Sequence, residues 1–220
     1  MRINADLTQR VVVNTDTVDW IPSPSKGVER RMLERAGEEV AHATSLVRYR
    51  PGSWFPRHVH RGGEEILVLE GVLSDEHGDY PAGSYLRNPP GSAHEPASRE
   101  GCLLLVKLLQ MHPGERERLV VDTRAGTWQR AQPDGPERME LFRDAAHGES
   151  VTLVRFPPRA GVEGDLHTGG EEVYVLEGLL EDEHGRYPAG TWLRQPHGSS
   201  HSPFSTAGCT LFVKRGHLPR

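Results

Sequence analysis

Residues 58–96, HVHRGGEEILVLEGVLSDEHGDYPAGSYLRNPPGSAHEP, return at residues 165–203 as DLHTGGEEVYVLEGLLEDEHGRYPAGTWLRQPHGSSHSP. The two stretches align without a gap at a constant offset of 107, and the alignment continues to Lys107 and Lys214. A weaker likeness, at an offset of 108, pairs Trp20 with Trp128 and residues 27–35 with 135–143. The chain of 220 residues is therefore an internal duplication of two units of ordinary domain size.

The duplication sets the predicted domain boundaries. We expect a first domain over residues 15–112 and a second over 123–220, joined by a linker at 113–122. Residues 1–14 precede the first copy, and the β-forming run VVV at 11–13 predicts an extra strand or an arm. The two cysteines, Cys102 and Cys209, occupy equivalent positions of the copies, so we expect two buried free thiols rather than a disulfide.

The composition favours strands and excludes several functional classes. Glycine and proline together account for 41 of the residues, which is typical of short strands joined by tight turns. The net charge of -5 excludes a strongly basic nucleic-acid binder. No run approaches the roughly 18 apolar residues that a membrane span needs. We therefore expect a soluble, cytoplasmic protein whose partner is a small molecule rather than a nucleic acid or a membrane.

The local patterns predict an all-β fold. Residues 43–49, 64–71, 80–87 and 102–108 are short runs rich in Val, Leu and Tyr, separated by Gly, Pro, Asn or Asp. His77 and Gly78 are predicted at the tip of a hairpin. A sandwich or barrel in two copies follows, each closed against its own repeat, and a homodimer that covers the sheet edges is compatible with this arrangement.

Histidines and a glutamate at fixed spacing form the candidate metal site of the first copy. His58 and His60 are two residues apart, so on a strand they project to the same face. Glu64 follows the Gly62–Gly63 turn and returns on the next strand, and His94 arrives from a third. The neighbouring Glu65 is expected on the opposite face, in contact with solvent.

These residues fall into a recognisable pattern. Gly52, His58, His60, Glu64 and Gly71 fit G(x)5HxH(x)3E(x)6G, and Gly83, Pro89, Gly91 and His94 fit G(x)5PxG(x)2H. The pattern resembles the two motifs of the cupins, and the longer run resembles the cupins of ChrR-type anti-sigma factors and of dihydroxyacetophenone-dioxygenase-like proteins. The resemblance implies two jelly-roll barrels, a bicupin, in which His58, His60, Glu64 and His94 hold a metal ion. Nothing in the chain resembles the zinc-binding sigma-interaction module of ChrR proteins.

The second copy departs from this pattern at one ligand position. Asp165 replaces the first histidine and Arg159 stands where Gly52 stands, whereas His167, Glu171 and His201 keep their places. Two alternatives are open: a weaker site of two histidines and two carboxylates, or a site without metal.

Aromatic and arginine residues of the two copies could line a pocket. Core or rim packing explains the aromatic residues at least as well, and for the arginines we expect surface ion pairs rather than a place in the barrel mouth. The six candidates are Trp54, Tyr85, Arg87, Tyr174, Trp192 and Arg194.

Two functions are compatible with such a site. Four protein ligands around a six-coordinate ion leave two positions for a chelating substrate or O2, which predicts a dioxygenase acting on a small hydroxy-ketone or diketone. Around a four-coordinate ion the site would be closed, as in a ChrR-like metal-binding sensory or regulatory protein. Imidazole and carboxylate donors suit Zn, Fe, Mn, Ni and Cu alike. The absence of the sigma-interaction pattern favours the enzyme.

Overall fold

The computed structural model describes residues 1–130 and 132–219, and its elements are almost entirely strands. Residues 1–125 form β1 (Arg2–Ile3), β2 (Val11–Asn14), β3 (Ile21–Pro22), β4 (Val28–Gly37), β5 (Ala41–Tyr49), β6 (Ser53–Trp54), β7 (His58–Val59), β8 (Glu64–Asp75), β9 (Gly78–Pro81), β10 (Ser84–Asn88), β11 (Ala93–His94), β12 (Ala97–Ser98), β13 (Cys102–Leu108) and β14 (Leu119–Asp122). The remaining strands are β15 (Gln129–Arg130), β16 (Glu137–Asp144), β17 (Glu149–Phe156), β18 (Ala160–Gly161), β19 (Asp165–Leu166), β20 (Glu171–Asp182), β21 (Gly185–Pro188), β22 (Thr191–Gln195), β23 (Ser200–His201), β24 (Phe204–Ser205) and β25 (Cys209–Arg215). The one helical element of the described residues is a single 3-10 turn at Thr15–Thr17.

Contacts divide the chain into two units, residues 1–5 with 18–125 and residues 6–17 with 126–220. The main sheet of the first unit has the strand order β1-β4-β5-β13-β8-β10-β14, and all its pairings are antiparallel. The sheet of the second unit has the order β15-β16-β17-β25-β20-β22-β2, which matches the first from β16 onward, whereas β15 corresponds to β3 rather than to β1. A separate two-stranded ribbon accompanies each sheet, β7 with β11 in the first unit and β19 with β23 in the second. The all-β prediction in two copies is confirmed.

In each unit, the last strand of the main sheet is supplied by the segment that precedes the other copy in the sequence: β2, before the first copy, joins the second unit, and β14, before the second copy, joins the first. β2 pairs with β22, with Val11 opposite Arg194, and β14 pairs with β10, with Leu119 opposite Arg87. The two strands occupy equivalent sequence positions at an offset of 108. The structure therefore differs from the predicted boundaries, since the predicted linker 113–122 contains a strand of the first unit and the predicted arm contains a strand of the second.

Each unit has its own apolar core, made by the inward residues of the long strands. The core of the first unit includes Val28, Tyr49, Ile66, Val68, Leu73, Tyr80, Leu86, Cys102, Leu104 and Val106. That of the second includes Val154, Phe156, Val173, Val175, Leu180, Tyr187, Leu193, Cys209, Leu211 and Val213. Both cysteines are buried and free, as the sequence predicts.

Long strands β8 and β20 serve two layers and must bend between them. The first part of β8 pairs with β13 and β10, and its end pairs with β9 and β12. Gly71 lies at the bend with φ +71°, and a Cβ there would lie 2.0 Å from the carbonyl oxygen of Gly101. Gly178 repeats this approach in β20, with a Cβ 2.1 Å from the oxygen of Gly208. Only glycine fits at these two positions.

Smaller features complete the comparison with the sequence. The predicted strand 80–87 is divided into β9 and β10 by the turn at Ala82 and Gly83, and the hairpin tip lies at Glu76 and His77, one residue before its predicted place. No helix in the described part of the chain is long and apolar enough to cross a membrane.

Candidate metal centre

Strand pairing brings the four predicted ligands of the first unit together. His58 in β7 lies opposite His94 in β11, and Glu64 begins β8. His60 follows one residue after β7 ends, and its backbone N–H donates to the Ser92 carbonyl, which fixes the turn. His60, Glu64 and His94 are buried, and His58 is half-buried. The spacing of the motif therefore directs the side chains of all four residues towards one centre.

The donor atoms are close enough to share one ion. Nε2 of His60 lies 3.3 Å from Nε2 of His58 and 3.1 Å from Oε2 of Glu64, and Nε2 of His94 lies 3.2 Å from the same Glu64 oxygen. Atoms bound at about 2.1 Å to one ion lie about 3.0 Å apart at right angles and about 3.4 Å apart at the tetrahedral angle. The ligand atoms of all four residues lie within 4.8 Å of one another. The donor set therefore fits a divalent transition metal.

Each imidazole is oriented through its other nitrogen. Nδ1 of His60 lies 2.9 Å from the Ser92 hydroxyl, Nδ1 of His94 lies 3.3 Å from Asp75, and Nδ1 of His58 lies 3.0 Å from the Pro56 carbonyl. A hydrogen bond at Nδ1 fixes the ring and directs the lone pair of Nε2 towards the centre, which is how proteins orient histidine ligands.

The charges around the cluster favour a cation. Burial by itself raises the pKa of Glu64, but hydrogen bonds with His60 and His94 outweigh it and hold that pKa well below its usual range. Burial lowers the pKa of His94, whereas Asp75 and Glu64 raise it to about 9. Burial lowers the pKa of His58. Two buried carboxylates, Glu64 and Asp75, thus flank the imidazoles and stabilise positive charge between them.

A cavity of about 280 Å³ opens beside the cluster. Its walls are mainly the apolar side chains of the barrel core, among them Val28, Val47, Ile66, Leu104 and Leu108. All four cluster residues line it as well. The cavity therefore offers an apolar compartment with one polar wall, which is the usual construction of a small-molecule site.

Further polar residues line this cavity and were not singled out from the sequence, among them Tyr49 and Arg30. Tyr49 is 6% exposed, and its hydroxyl makes no hydrogen bond to the described part of the chain. Burial and the charge of Glu64 raise the pKa of this phenol, so it stays protonated and can donate. Arg30 also lines the cavity and forms an ion pair of 3.5 Å with Glu39. A comparison of the repeats could have found Tyr49. It lies opposite Cys102, whereas the equivalent Cys209 lies opposite Phe156, so the first copy has a hydroxyl where the second has none.

The six residues predicted as pocket candidates line neither this cavity nor the small one in the second unit described below. Trp54 is 53% exposed in β6, whereas Tyr85, Arg87, Tyr174, Trp192 and Arg194 are buried elsewhere in the sheets. Arg87 lies 2.7 Å from Glu115 and 3.3 Å from Glu65, and Tyr85 donates to Glu65 at 3.0 Å. The expectations that Glu65 is solvated and that the arginines form surface ion pairs are wrong, because these charges are buried together in the sheet.

The second unit assembles the equivalent residues around a different centre. Asp165 lies opposite His201, in the register that pairs His58 with His94. Nε2 of His167 lies 3.5 Å from Glu171 Oε1, and Nε2 of His201 lies 3.4 Å from the same oxygen. The outer partners persist, since Nδ1 of His167 lies 3.2 Å from Ser199 and Nδ1 of His201 lies 3.0 Å from Asp182.

A guanidinium group enters this second cluster. Arg215, the last residue of β25, donates to both oxygens of Asp165, at 3.0 Å to Oδ1, and forms an ion pair with Glu171. Burial raises the pKa of Glu171, but the hydrogen bond with His201 and the charge of Arg215 outweigh it and lower that pKa to about 2. The adjoining cavity measures about 20 Å³. Ligand atoms of Asp165, His167 and His201 still lie within 4.8 Å of one another, but both carboxylates of this cluster, unlike those of the first, are paired with Arg215.

Comparisons with known proteins agree with the duplication. The profile of the family described as ChrR cupin-like domain matches residues 8–112 and again 116–219. No protein with a curated description matches the chain.

Solved structures share the fold at low identity. A candidate dioxygenase from Nostoc punctiforme PCC 73102 has a TM-score of 0.79 at 19% identity, over 97% of this chain and 85% of its own. The oxalate decarboxylase of Bacillus subtilis, which has Mn(II) centres, has a TM-score of 0.64 at 13% identity, over 95% of this chain and 78% of its own. The bacterial pirin YhhW of Escherichia coli, in complex with nickel(II), has a TM-score of 0.70 at 10% identity, over 96% of this chain and 100% of its own. The fold of this chain is thus the bicupin fold, and its relatives of that fold include metal-binding proteins.

Proposed function

The chain belongs to the ChrR cupin-like domain family, and we propose that its first barrel binds one divalent transition metal and oxidises a small hydroxy-ketone or diketone with O2. The proposed ligands are His58, His60, Glu64 and His94. The observation that carries the proposal is the convergence of these donors on the wall of an apolar cavity of about 280 Å³. Nitrogen and oxygen donors without a thiolate suit Fe, Mn, Ni, Cu or Zn.

When bound, the metal would supply Lewis-acid polarisation of two chelating substrate oxygens and a position for O2. The protein residues position and shield the substrate. Ile66, Leu104 and their neighbours exclude water and accept the apolar body of the molecule. The Tyr49 hydroxyl donates a hydrogen bond to a substrate oxygen, because it is buried, protonated and has no partner in the described residues. A β-diketone and O2 would give a carboxylic acid and a 1,2-dicarbonyl compound, with both oxygen atoms of O2 in the products.

Oxygen uptake tests the proposal. The metal-free protein is loaded separately with Fe(II), Mn(II), Ni(II), Cu(II) or Zn(II) and supplied with β-diketones and hydroxyacetophenones. We expect uptake with at least one redox-active metal and incorporation of label from 18O2 into both products. His60→Ala should abolish both metal binding and uptake, because His60 contacts all three other ligands. His184→Ala, an exposed turn histidine of the second unit, is the control and should change neither.

A regulatory function is the second candidate, and the ChrR description of the family favours it. The two candidates predict different metal centres. A sensor would hold tetrahedral Zn(II) without an exchangeable water and would consume no oxygen with any of the metals above. That result would contradict the enzyme and support a metal-binding sensory protein, whereas substrate-dependent uptake lost in His60→Ala would support the enzyme.

A further inference from the structure

The two clusters differ most at the residue that follows the aligned Lys107 and Lys214 and ends β13 and β25. Leu108 ends β13 and lies opposite Glu64 in the register, and Arg215 ends β25 opposite Glu171. The two positions are therefore equivalent, although one side chain is apolar and the other is a permanent cation. Leu108 lines the large cavity, whereas the Arg215 guanidinium reaches Asp165 and Glu171.

The contacts of Arg215 involve the oxygen donors that a metal would need. Its guanidinium donates to both carboxylate oxygens of Asp165 in the paired geometry typical of arginine with a carboxylate. The same nitrogen that meets Asp165 Oδ2 also pairs with Glu171 Oε2. A divalent ion at this centre would have to displace the arginine from two carboxylates, and until it did, the two cations would repel each other.

The rest of the second site is preserved. His167 and His201 keep their outer partners Ser199 and Asp182, and their buried Nε2 atoms lie 3.5 and 3.4 Å from Glu171 Oε1. Two imidazoles therefore still point to the centre with the orientation found in the first unit. The scaffold for a metal is present, and the arginine is what distinguishes this centre from a binding site.

We infer that Arg215 is a built-in cation that takes the place of the metal in the second barrel, so that the chain binds one metal ion and not two. His58 and Leu108 of the first barrel correspond to Asp165 and Arg215 of the second, and these two differences act together, since Asp165 supplies the second carboxylate for the guanidinium. This role of Arg215 does not depend on the reaction proposed for the first barrel, although the count of one metal ion rests on the metal binding proposed there.

Cobalt binding tests the inference in a background in which the first site is disabled. The metal-free His60→Ala protein is titrated with Co(II), and bound metal is measured by elemental analysis and by the visible absorption of Co(II). We expect no stoichiometric binding in this background. Adding Arg215→Leu should create one weak Co(II) site, and adding both Arg215→Leu and Asp165→His, which reproduces the residues of the first barrel, should create one tighter site.

A matched control and a reverse variant complete the design. Arg186→Leu removes one positive charge from an exposed position of the same unit and should create no site. Leu108→Arg, in a chain that is otherwise unchanged, should weaken Co(II) binding at the first site by at least about tenfold, because it introduces the guanidinium opposite Glu64. Circular dichroism and a cooperative thermal transition establish that each variant is folded.

Stoichiometric Co(II) binding by His60→Ala with Arg215 intact would overturn the inference, because the arginine would then not keep the metal out. Folded Arg215→Leu and Asp165→His/Arg215→Leu proteins that bind no Co(II) would overturn it as well. If Arg215→Leu leaves Asp165 and Glu171 too close to fold, the double variant and Leu108→Arg decide the question. The double variant lacks the second carboxylate, and Leu108→Arg leaves the second barrel unchanged.

Discussion

Asp75 links the stability of the first barrel to its metal affinity, and Asp75→Asn should lower both. The carboxylate is fully buried and receives hydrogen bonds from Tyr80 and from the backbone N–H of His77, both at 2.8 Å, and it lies 3.3 Å from Nδ1 of His94. Burial alone raises its pKa, but these hydrogen bonds and the charge of Arg118 lower it to about 2 from an ordinary value of 3.8. At about 1.4 kcal/mol per pH unit, this depression corresponds to about 2 kcal/mol of stability.

The pH dependence follows from the direction of this shift. Because the folded-state pKa is below the unfolded one, the ionised Asp75 contributes its full stability above about pH 4 and loses it as the pH falls towards 2. The raised pKa of His94 reflects the same interaction, which is counted once. We expect metal-free Asp75→Asn to be about 2 kcal/mol less stable than the unchanged protein at about pH 5.5, with the difference shrinking to near zero by about pH 2.

The metal affinity should fall as well, because the neutral amide introduced by Asp75→Asn cannot replace the charge that orients His94 and increases its basicity. Loss of such an outer partner typically weakens metal binding about 10- to 100-fold. Urea unfolding of the metal-free proteins measures the stability, and competitive titration with a chromogenic chelator measures the affinity.

The second unit supplies the control for this experiment. Asp182 has the corresponding partners His201, Tyr187 and the His184 backbone N–H, and its pKa is also lowered to about 2. Asp182→Asn should therefore cost similar stability but leave metal affinity unchanged. Equal metal affinity in Asp75→Asn and the unchanged protein would refute the role assigned to Asp75, as would a stability difference that persists undiminished at about pH 2.

Three further outcomes can be checked with single variants. Tyr49→Phe should retain full metal content and lower kcat/KM in the oxygen-uptake assay by about 10- to 100-fold, since a hydrogen bond to a charged group contributes about 1.5–3 kcal/mol; unchanged kcat/KM would contradict it. Gly71→Ala should destabilise the protein far more than Gly52→Ala, because both have positive φ but only Gly71 has a backbone atom within 4 Å of the new Cβ; urea unfolding that ranks them equally would refute this reason. Leu86→Ala should lower the free energy of unfolding by about 2–5 kcal/mol, because Leu86 is 0% exposed in the core; a loss below about 1 kcal/mol would show that the site repacks.

The sequence contained enough to predict the strands and the convergent residues of the first cluster. Period-two spacing puts His58 and His60 on one side, and glycine and proline turns bring Glu64 and His94 back to them. The pairing of β2 with the second sheet and of β14 with the first was not predictable in this way, because the alternation in a short run such as VVVN does not specify which sheet edge it joins. Burial of Glu65 was missed for a related reason. Alternation identifies its face, but only the folded sheet shows that Arg87 and Tyr85 cover that face.

Arg215 was missed because it lies one residue beyond the last aligned lysine, where the copies cease to agree. Its signal was nevertheless present in the comparison of the repeats, since a leucine at the strand end of one copy corresponds to an arginine in the other. Asp165 by itself suggests a weaker metal ligand than histidine, but its contact with Arg215 shows that it forms an ion pair.

Asp165 and Arg215 depend on each other, because either residue without the other would leave a charge near the centre of the second barrel less well paired. Asp165 without Arg215 would place a second carboxylate beside Glu171 with Arg138 as the neighbouring cation that remains, and Arg215 without Asp165 would lose its paired hydrogen bonds. Together they replace an exchangeable ion by one fixed to the chain, which needs no loading from solution and leaves no open position for a substrate. The small cavity beside Arg215 agrees with this, because a barrel whose centre is closed by its own side chain has no ligand to accommodate. The duplication therefore keeps one barrel with an apolar compartment beside its histidine cluster and one whose centre holds a guanidinium group.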